Sequence, residues 1–214
     1  MSLERSGGNL AGVFFSMQSL FAICLLVGGI TATGGDIDRK KPVEKMPFSI
    51  YSDHADNFVP SGWIGDTDNL KLNVNYTSDV AEGTACVQVI YKVPDSKLKW
   101  AGVYWQSPAN NWGDSKDGGY NLFLAKRIRF KARGGRGGEV VAFKAGGMKS
   151  GPYPDTFDLP QQTITLTAEW KDYELPLQGC DLTHVIGGFC FIMTKEKNPE
   201  GAVFYLDSIC YSTF

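Results

Sequence analysis

The sequence predicts an all-β protein: a jelly-roll β-sandwich of about nine or ten antiparallel strands, preceded by an N-terminal signal or anchor helix. Three observations carry that expectation. Short runs alternate apolar and polar residues, with turn residues every ten or so positions. Glycine is abundant, at 25 of 214 residues, and aromatics make up 13%. No helical periodicity persists beyond two turns after the N-terminal segment.

The elements follow in chain order. Residues 1–34 read as a secretory signal: Arg5 near the start, an apolar run from Leu10 to Ile30, then small residues and a charged exit, DIDRKK. An uncleaved membrane anchor is the rival, because the apolar run approaches the ~20 residues a span requires. Cys24 lies behind Ile23, where a lipoprotein signal needs a small residue, so lipidation is not expected. Residues 35–47 are polar and charged and read as a flexible linker. The domain is 48–214. LKLNVNY (70–76), ACVQVIYKV (85–93) and WAGVYWQ (100–106) are its first clear strands. RIRFKAR (127–133) puts Ile128, Phe130 and Ala132 on one face and its four basic residues on the other. GGRGG then turns the chain into EVVAFKAGG (139–147), a hairpin in which Glu139 is expected to begin neutralising the basic row. QTITLT, KDYELPL, GGFCFIM and AVFYLDSICY complete the set.

Composition excludes several functions. The formal net charge is −2 and no basic cluster exceeds Arg39-Lys40-Lys41, so no field recruits nucleic acid. A membrane contact is expected only through the N-terminal segment, if uncleaved. Cys86, Cys180, Cys190 and Cys210 remain after cleavage and permit 3 pairings; with no zinc-like grouping, they read as buried thiols or at most one bridge. His54 and His184 are isolated. Nucleophile-elbow, HExxH and phosphate-loop patterns are absent. Asp155, Asp158 and Glu169 could supply a carboxylate pair, but turn chemistry accounts for them as well.

The stretch from Trp100 to Asn121 carries the functional expectation. Flat rings beside amides suit a sugar, since a ring packs on the apolar C–H face of a pyranose and amides meet its hydroxyls. The candidate contacts are Tyr104, Trp105, Gln106, Asn110, Asn111 and Trp112, with Trp63, Tyr120 and Tyr153 further out. Strand alternation places Trp100, Gly102, Tyr104 and Gln106 on one face and Ala101, Val103 and Trp105 on the other. Glycine and glutamine favour the first as the wet face, which would make Trp105 core and Tyr104 with Gln106 the contacts; the alternation itself leaves the choice open. Trp112 sits in a polar loop, where an indole is either a lid or a ligand platform.

The order of GTACVQVIYKV, WAGVYWQ, YNLFLAKRIRFKARG, EWKDYELPL and FYLDSICY from Phe48 to Tyr211 resembles the jelly-roll carbohydrate-binding modules, also called galactose-binding-like domains. The resemblance implies a structural calcium held by Asp207 on the last strand, with Asp53 as a partner from the first strand region. Calcium takes six to eight oxygen ligands, so neither aspartate suffices alone. Such modules accompany a catalytic domain, and this chain has no room for one. The expectation is therefore an exported, non-catalytic protein at the cell surface or in the periplasm that binds a polysaccharide or glycan. The alternatives are a structural surface or matrix subunit that self-assembles as a homo-oligomer, and a polysaccharide hydrolase or lyase.

Overall fold

The computed structural model describes residues 40–93 and 98–214. The signal or anchor segment, its cleavage site and the first part of the 35–47 linker lie outside the described residues. Eleven strands form the domain: β1 (Phe48–Tyr51), β2 (Val59–Gly65), β3 (Leu70–Tyr76), β4 (Cys86–Tyr91), β5 (Trp100–Gln106), β6 (Arg127–Gly134), β7 (Val140–Lys144), β8 (Gln162–Thr165), β9 (Lys171–Pro176), β10 (Gly187–Thr194) and β11 (Ala202–Ser212). A 3-10 turn at Thr67–Asn69 is the one helical piece among the described residues.

The strands pair antiparallel into two sheets. One has five strands in the order β2-β5-β10-β7-β8; the other has six, β3-β4-β11-β6-β9 with β1 added onto β11. Alternation decides which side chains meet between them. Val87, Val89 and Tyr91 of β4, Ile128, Phe130 and Ala132 of β6, and Phe204 and Leu206 of β11 enter one core. They face Val103 and Trp105 of β5, Phe143 of β7, and Phe189 and Phe191 of β10. Trp105 is fully buried and lies edge-on to Phe189 and Phe191, at 5.6 and 5.9 Å between ring centroids. Truncating such a ring to alanine costs about 3–5 kcal/mol.

The long strand β11 organises the six-stranded sheet. Its first half pairs with β4, from Ala202–Tyr91 to Leu206–Val87, and its second half pairs with β1. Between them the register against β6 shifts after Asp207, and Ser208 takes φ +50°. The Asp207 carboxylate sits at this bulge, 1% exposed, and accepts the backbone N–H groups of Ala81, Glu82 and Ser208. One side chain thus ties the 77–85 connection to the break in the last strand.

Two expectations change here. Residues 40–43 are docked rather than free: Pro42 bridges Asn121, the Val43 N–H reaches Asn121 O at 2.9 Å, and Lys40 Nζ reaches Gly119 O at 2.9 Å. The basic row of β6 is neutralised mainly across the sheet, where Arg127 pairs with Glu174 and Lys131 with Asp172 of β9. Glu139 instead turns back to its own hairpin and accepts the Arg136 N–H at 2.9 Å. The four cysteines of the domain are free thiols, with Cys86 and Cys190 buried. Burial, with the Asp207 charge adding, pushes the Cys86 thiol up to about 11.

Candidate functional site

Cross-strand register fixes what surrounds Tyr104. Directly opposed residues share a face, so Gly62 of β2, Tyr104 of β5, Cys190 of β10 and Lys144 of β7 form one row on the outer side of the five-stranded sheet. The next row is Ile64, Gly102, Ile192 and Ala142. Gly62 cannot be larger: a Cβ there would lie 2.8 Å from the Tyr104 Cβ and 2.7 Å from the Gln106 side chain. Tyr104, Met148, Ile186 and Cys190 make a second small apolar cluster, flanked by Ile64 and Ile192. Burial pushes the Tyr104 hydroxyl and the Cys190 thiol well above their ordinary values.

Above this cluster stands Trp112, 38% exposed, its ring edge-on to Tyr104 at 6.5 Å. Trp100 lies four residues from Tyr104 on the same strand face, about 13 Å away, half-buried beside a cleft of about 480 Å³ with Leu98 and Thr194. Tyr104, the two isoleucines and Trp100 therefore follow one another along the strand direction, with Trp112 against Tyr104.

The amides expected to meet a ligand are used inside the protein. Gln106 is fully buried; its Nε2 donates to Asn111 O at 2.9 Å and its Oε1 accepts from Ser61 Oγ at 2.8 Å. Asn111, 2% exposed, donates to Ser107 O at 2.8 Å and accepts the N–H groups of Gly113 and Ser115. These two residues hold the backbone on either side of Trp112. Asn110 differs: it is exposed at φ +61°, with its backbone N–H tied to Ser61 Oγ.

A brace missed in the sequence stands beneath the same loop. His184 is 3% exposed, and its ring nitrogens lie 2.7 Å from Pro154 O and 3.2 Å from Gly118 O. Neighbouring Asp155 is buried and accepts the N–H groups of Met148, Ile186 and Gly187. Burial raises the Asp155 carboxyl above its ordinary value, against those three backbone donors. Together they join the 107–119 loop to the 148–158 loop, and the Tyr153 N–H completes the junction on Gly113 O at 2.8 Å. An isolated histidine in LTHVIGG carries no local signal of this, because its partners are backbone carbonyls 30 and 66 residues away.

The other expected contacts do not converge on Trp112. Trp105 is sealed in the core, for the reason alternation allows: it is the opposite face of β5 from Tyr104. Tyr120 packs against Phe48 and Phe58, at 4.8 and 5.2 Å, with Lys40 over its ring. Trp63 is 40% exposed but pairs with core-facing Val103, so it lies on the other side of the sheet from Tyr104.

The carboxylates do not fit a calcium site. Asp207 is engaged by three backbone N–H groups, and Asp53 accepts those of Thr84 and Ala85. N–H dipoles aimed at a carboxylate repel a cation. Among the described residues no three His, Cys, Asp or Glu side chains gather at metal-binding distance. Asp158 is likewise spent, bridging Lys144 at 2.9 Å and Lys149 at 3.5 Å.

No protein-family model and no curated protein matches this chain. Solved structures do. One crystal structure of a family 30 carbohydrate-binding module aligns with a TM-score of 0.53 and 13% identity, covering 79% of this chain and 100% of that one. A second aligns with a TM-score of 0.50 and 14% identity, covering 79% and 89%. At that identity the likeness is one of architecture, and the chain has the jelly-roll fold of family 30 carbohydrate-binding modules.

Proposed function

We propose that this protein is an exported, non-catalytic module that binds a polysaccharide or glycan on the outer face of its five-stranded sheet. The observation that carries the reading is Trp112. Its indole is partly exposed yet fixed, because Asn111 and Gln106 hold the loop and Tyr104 meets the ring edge. A platform ordered before the ligand arrives loses little entropy on binding. The row from Tyr104 to Trp100 spans about 13 Å, the length of about two or three pyranose rings, with the Trp112 and Trp100 indoles as its stacking surfaces. Support for the ligand class comes from the family 30 modules that share the fold. Support for export comes from the apolar run followed by small residues at the N-terminus.

A glycan array and polysaccharide pull-down on the full chain test this. Trp112→Ala is expected to weaken any binding found by about 1–2 kcal/mol with the thermal melt unchanged. Unchanged affinity would remove Trp112 from the site.

A further inference from the structure

His184 meets two hydrogen-bond acceptors at once. Its Nδ1 lies 2.7 Å from Pro154 O and its Nε2 lies 3.2 Å from Gly118 O, on a residue only 3% exposed. A carbonyl oxygen accepts and never donates, so each contact calls for an N–H on the ring. A neutral imidazole has one N–H and one lone pair; the imidazolium alone has two N–H groups. With the proton of a neutral ring on Nδ1, at the shorter contact, the Nε2 lone pair would face the oxygen of buried Gly118. A buried carbonyl set against a lone pair loses its partner and is repelled as well. Only the charged ring satisfies both oxygens.

The two carbonyls belong to the two segments that seat Trp112. Tyr153, next to Pro154, donates its N–H to Gly113 O at 2.8 Å, one residue past the indole. Gly118 lies against the amide of Asn111, one residue before it: a Cβ on Gly118 would fall 2.2 Å from Asn111 Nδ2. The ring thus reaches both sides of the indole through one intervening contact each. The charges around it are mixed in sign. Asp155 of the 148–158 loop is buried; burial raises its carboxyl, and charge on His184 acts against that rise. Lys149 and Asp158 of the same loop pair with each other at 3.5 Å. Asp114, Lys116 and Asp117 of the 107–119 loop and Asp181 of the connection before His184 are exposed. Lys40 of the N-terminal segment is held by the carbonyls of Asp117 and Gly119. Tyr211 of β11, near Asp155, donates its hydroxyl to Gly188 O at 2.9 Å. The buried Asp155 carboxylate favours a cation at His184.

We propose that His184 is a positioning residue of the glycan platform: as an imidazolium it donates to Pro154 O and Gly118 O together, clasps the 107–119 loop to the 148–158 loop, and so fixes Trp112. Loss of its proton releases one of the two bonds and lets the indole move, so the site is tightest on the acid side of the His184 titration. That Trp112 meets a glycan rests on the reading above; the clasp rests on the ring and its two acceptors alone.

NMR on the full chain, from about pH 5 upward through the His184 titration, tests the clasp without a ligand. At the acid end both ring nitrogens of His184 are expected to carry a proton. As pH rises, its titration should move the Trp112 indole N–H and the Gly113 and Gly118 amides together. Exposed His54, paired with Asp56 at 3.0 Å, should titrate without moving them. Affinity for whichever neutral gluco-, manno- or xylo-hexasaccharide binds should fall about tenfold over the same span. In His184→Gln, whose amide has one donating nitrogen and no charge to lose, affinity should not follow pH. A single neutral tautomer at every pH would overturn the proposal. So would a charged His184 whose titration leaves Trp112 unmoved, or a sugar affinity that ignores pH in the unsubstituted protein. If none of the sugars binds at any pH, the glycan reading falls, and the two nitrogen signals with the Trp112 shift still decide the clasp.

Discussion

Asn110 and Asn111 are neighbours of the same type with opposite tasks. The Asn111 side chain makes three hydrogen bonds inside the protein, so Asn111→Ala strands the N–H groups of Gly113 and Ser115. Its expected cost is about 2 kcal/mol of folding stability, read from urea denaturation. Asn110→Ala, at an exposed position whose side chain makes no hydrogen bond in the structure, should cost about 1 kcal/mol, because alanine tolerates φ +61° less well than asparagine. An asparagine-for-contact reading predicts the reverse ranking on ligand affinity with both variants equally stable. The sequence could place these amides beside an aromatic strand but could not tell which were spent internally. For Gln106 that depends on Ser61 lying within hydrogen-bond reach, a fact of β2–β5 pairing and not of the 100–121 stretch itself, and for Asn111 it depends on the loop folding back onto the Ser107 carbonyl. The same limit applied to Trp105 and Tyr104: alternation separated them onto two faces, and only the partner sheet decides which face is inside.

At the level of strands, periodicity was a reliable guide wherever the run was long. β3 to β11 all fall within segments recognisable in the sequence, most by alternation and β10 as a continuous apolar run. β1 and β2 were hidden, and the reasons are local. β1 has four residues, and β2 carries Pro60, Ser61 and Gly62 at a register shift, so neither shows a clean period of two. The docked 40–43 segment was hidden because its composition is that of a linker while its backbone pairs with Asn121. The Asp207 bulge shows how one element depends on one side chain. Asp207→Ala leaves three N–H groups without an acceptor at the point where β11 changes partners from β4 to β1. A loss of about 3 kcal/mol is expected, together with faster hydrogen exchange at Ala81 and Glu82 than at the core of β4. Uniform exchange across both would show that the carboxylate does not pin that connection.

Over the whole molecule, four aspartates divide into two opposing pairs, and the pH dependence of stability follows from their signs. Asp53 is held below its ordinary value by the N–H groups of Thr84 and Ala85. Asp158 loses some solvent to burial, which acts upward, but its hydrogen bond to Lys144 and the charges of Lys144 and Lys149 prevail and lower it. A depressed carboxyl contributes stability above its unfolded value that is lost as pH falls through the folded one. Burial raises Asp155 and Asp207 despite their backbone donors. A raised carboxyl works in reverse: its contribution is complete below the unfolded value and is lost as pH climbs through the folded one. The first pair therefore tilts stability upward with pH below about 4, and the second tilts it downward above that point. The melting temperature is expected to peak near pH 4, an acidic optimum for a domain whose net charge at neutrality is only −2. Lys144→Met removes the charge that holds Asp158 down. It should flatten the acid limb and leave the limb above pH 4 in place, as followed by thermal melts from pH 2.5 to 7 at constant ionic strength (a range chosen to bracket about pH 4 on both sides). A profile that rises monotonically to neutrality in the unsubstituted protein would mean that the backbone donors on Asp155 and Asp207 outweigh their burial, and both carboxylates would then belong with the depressed pair.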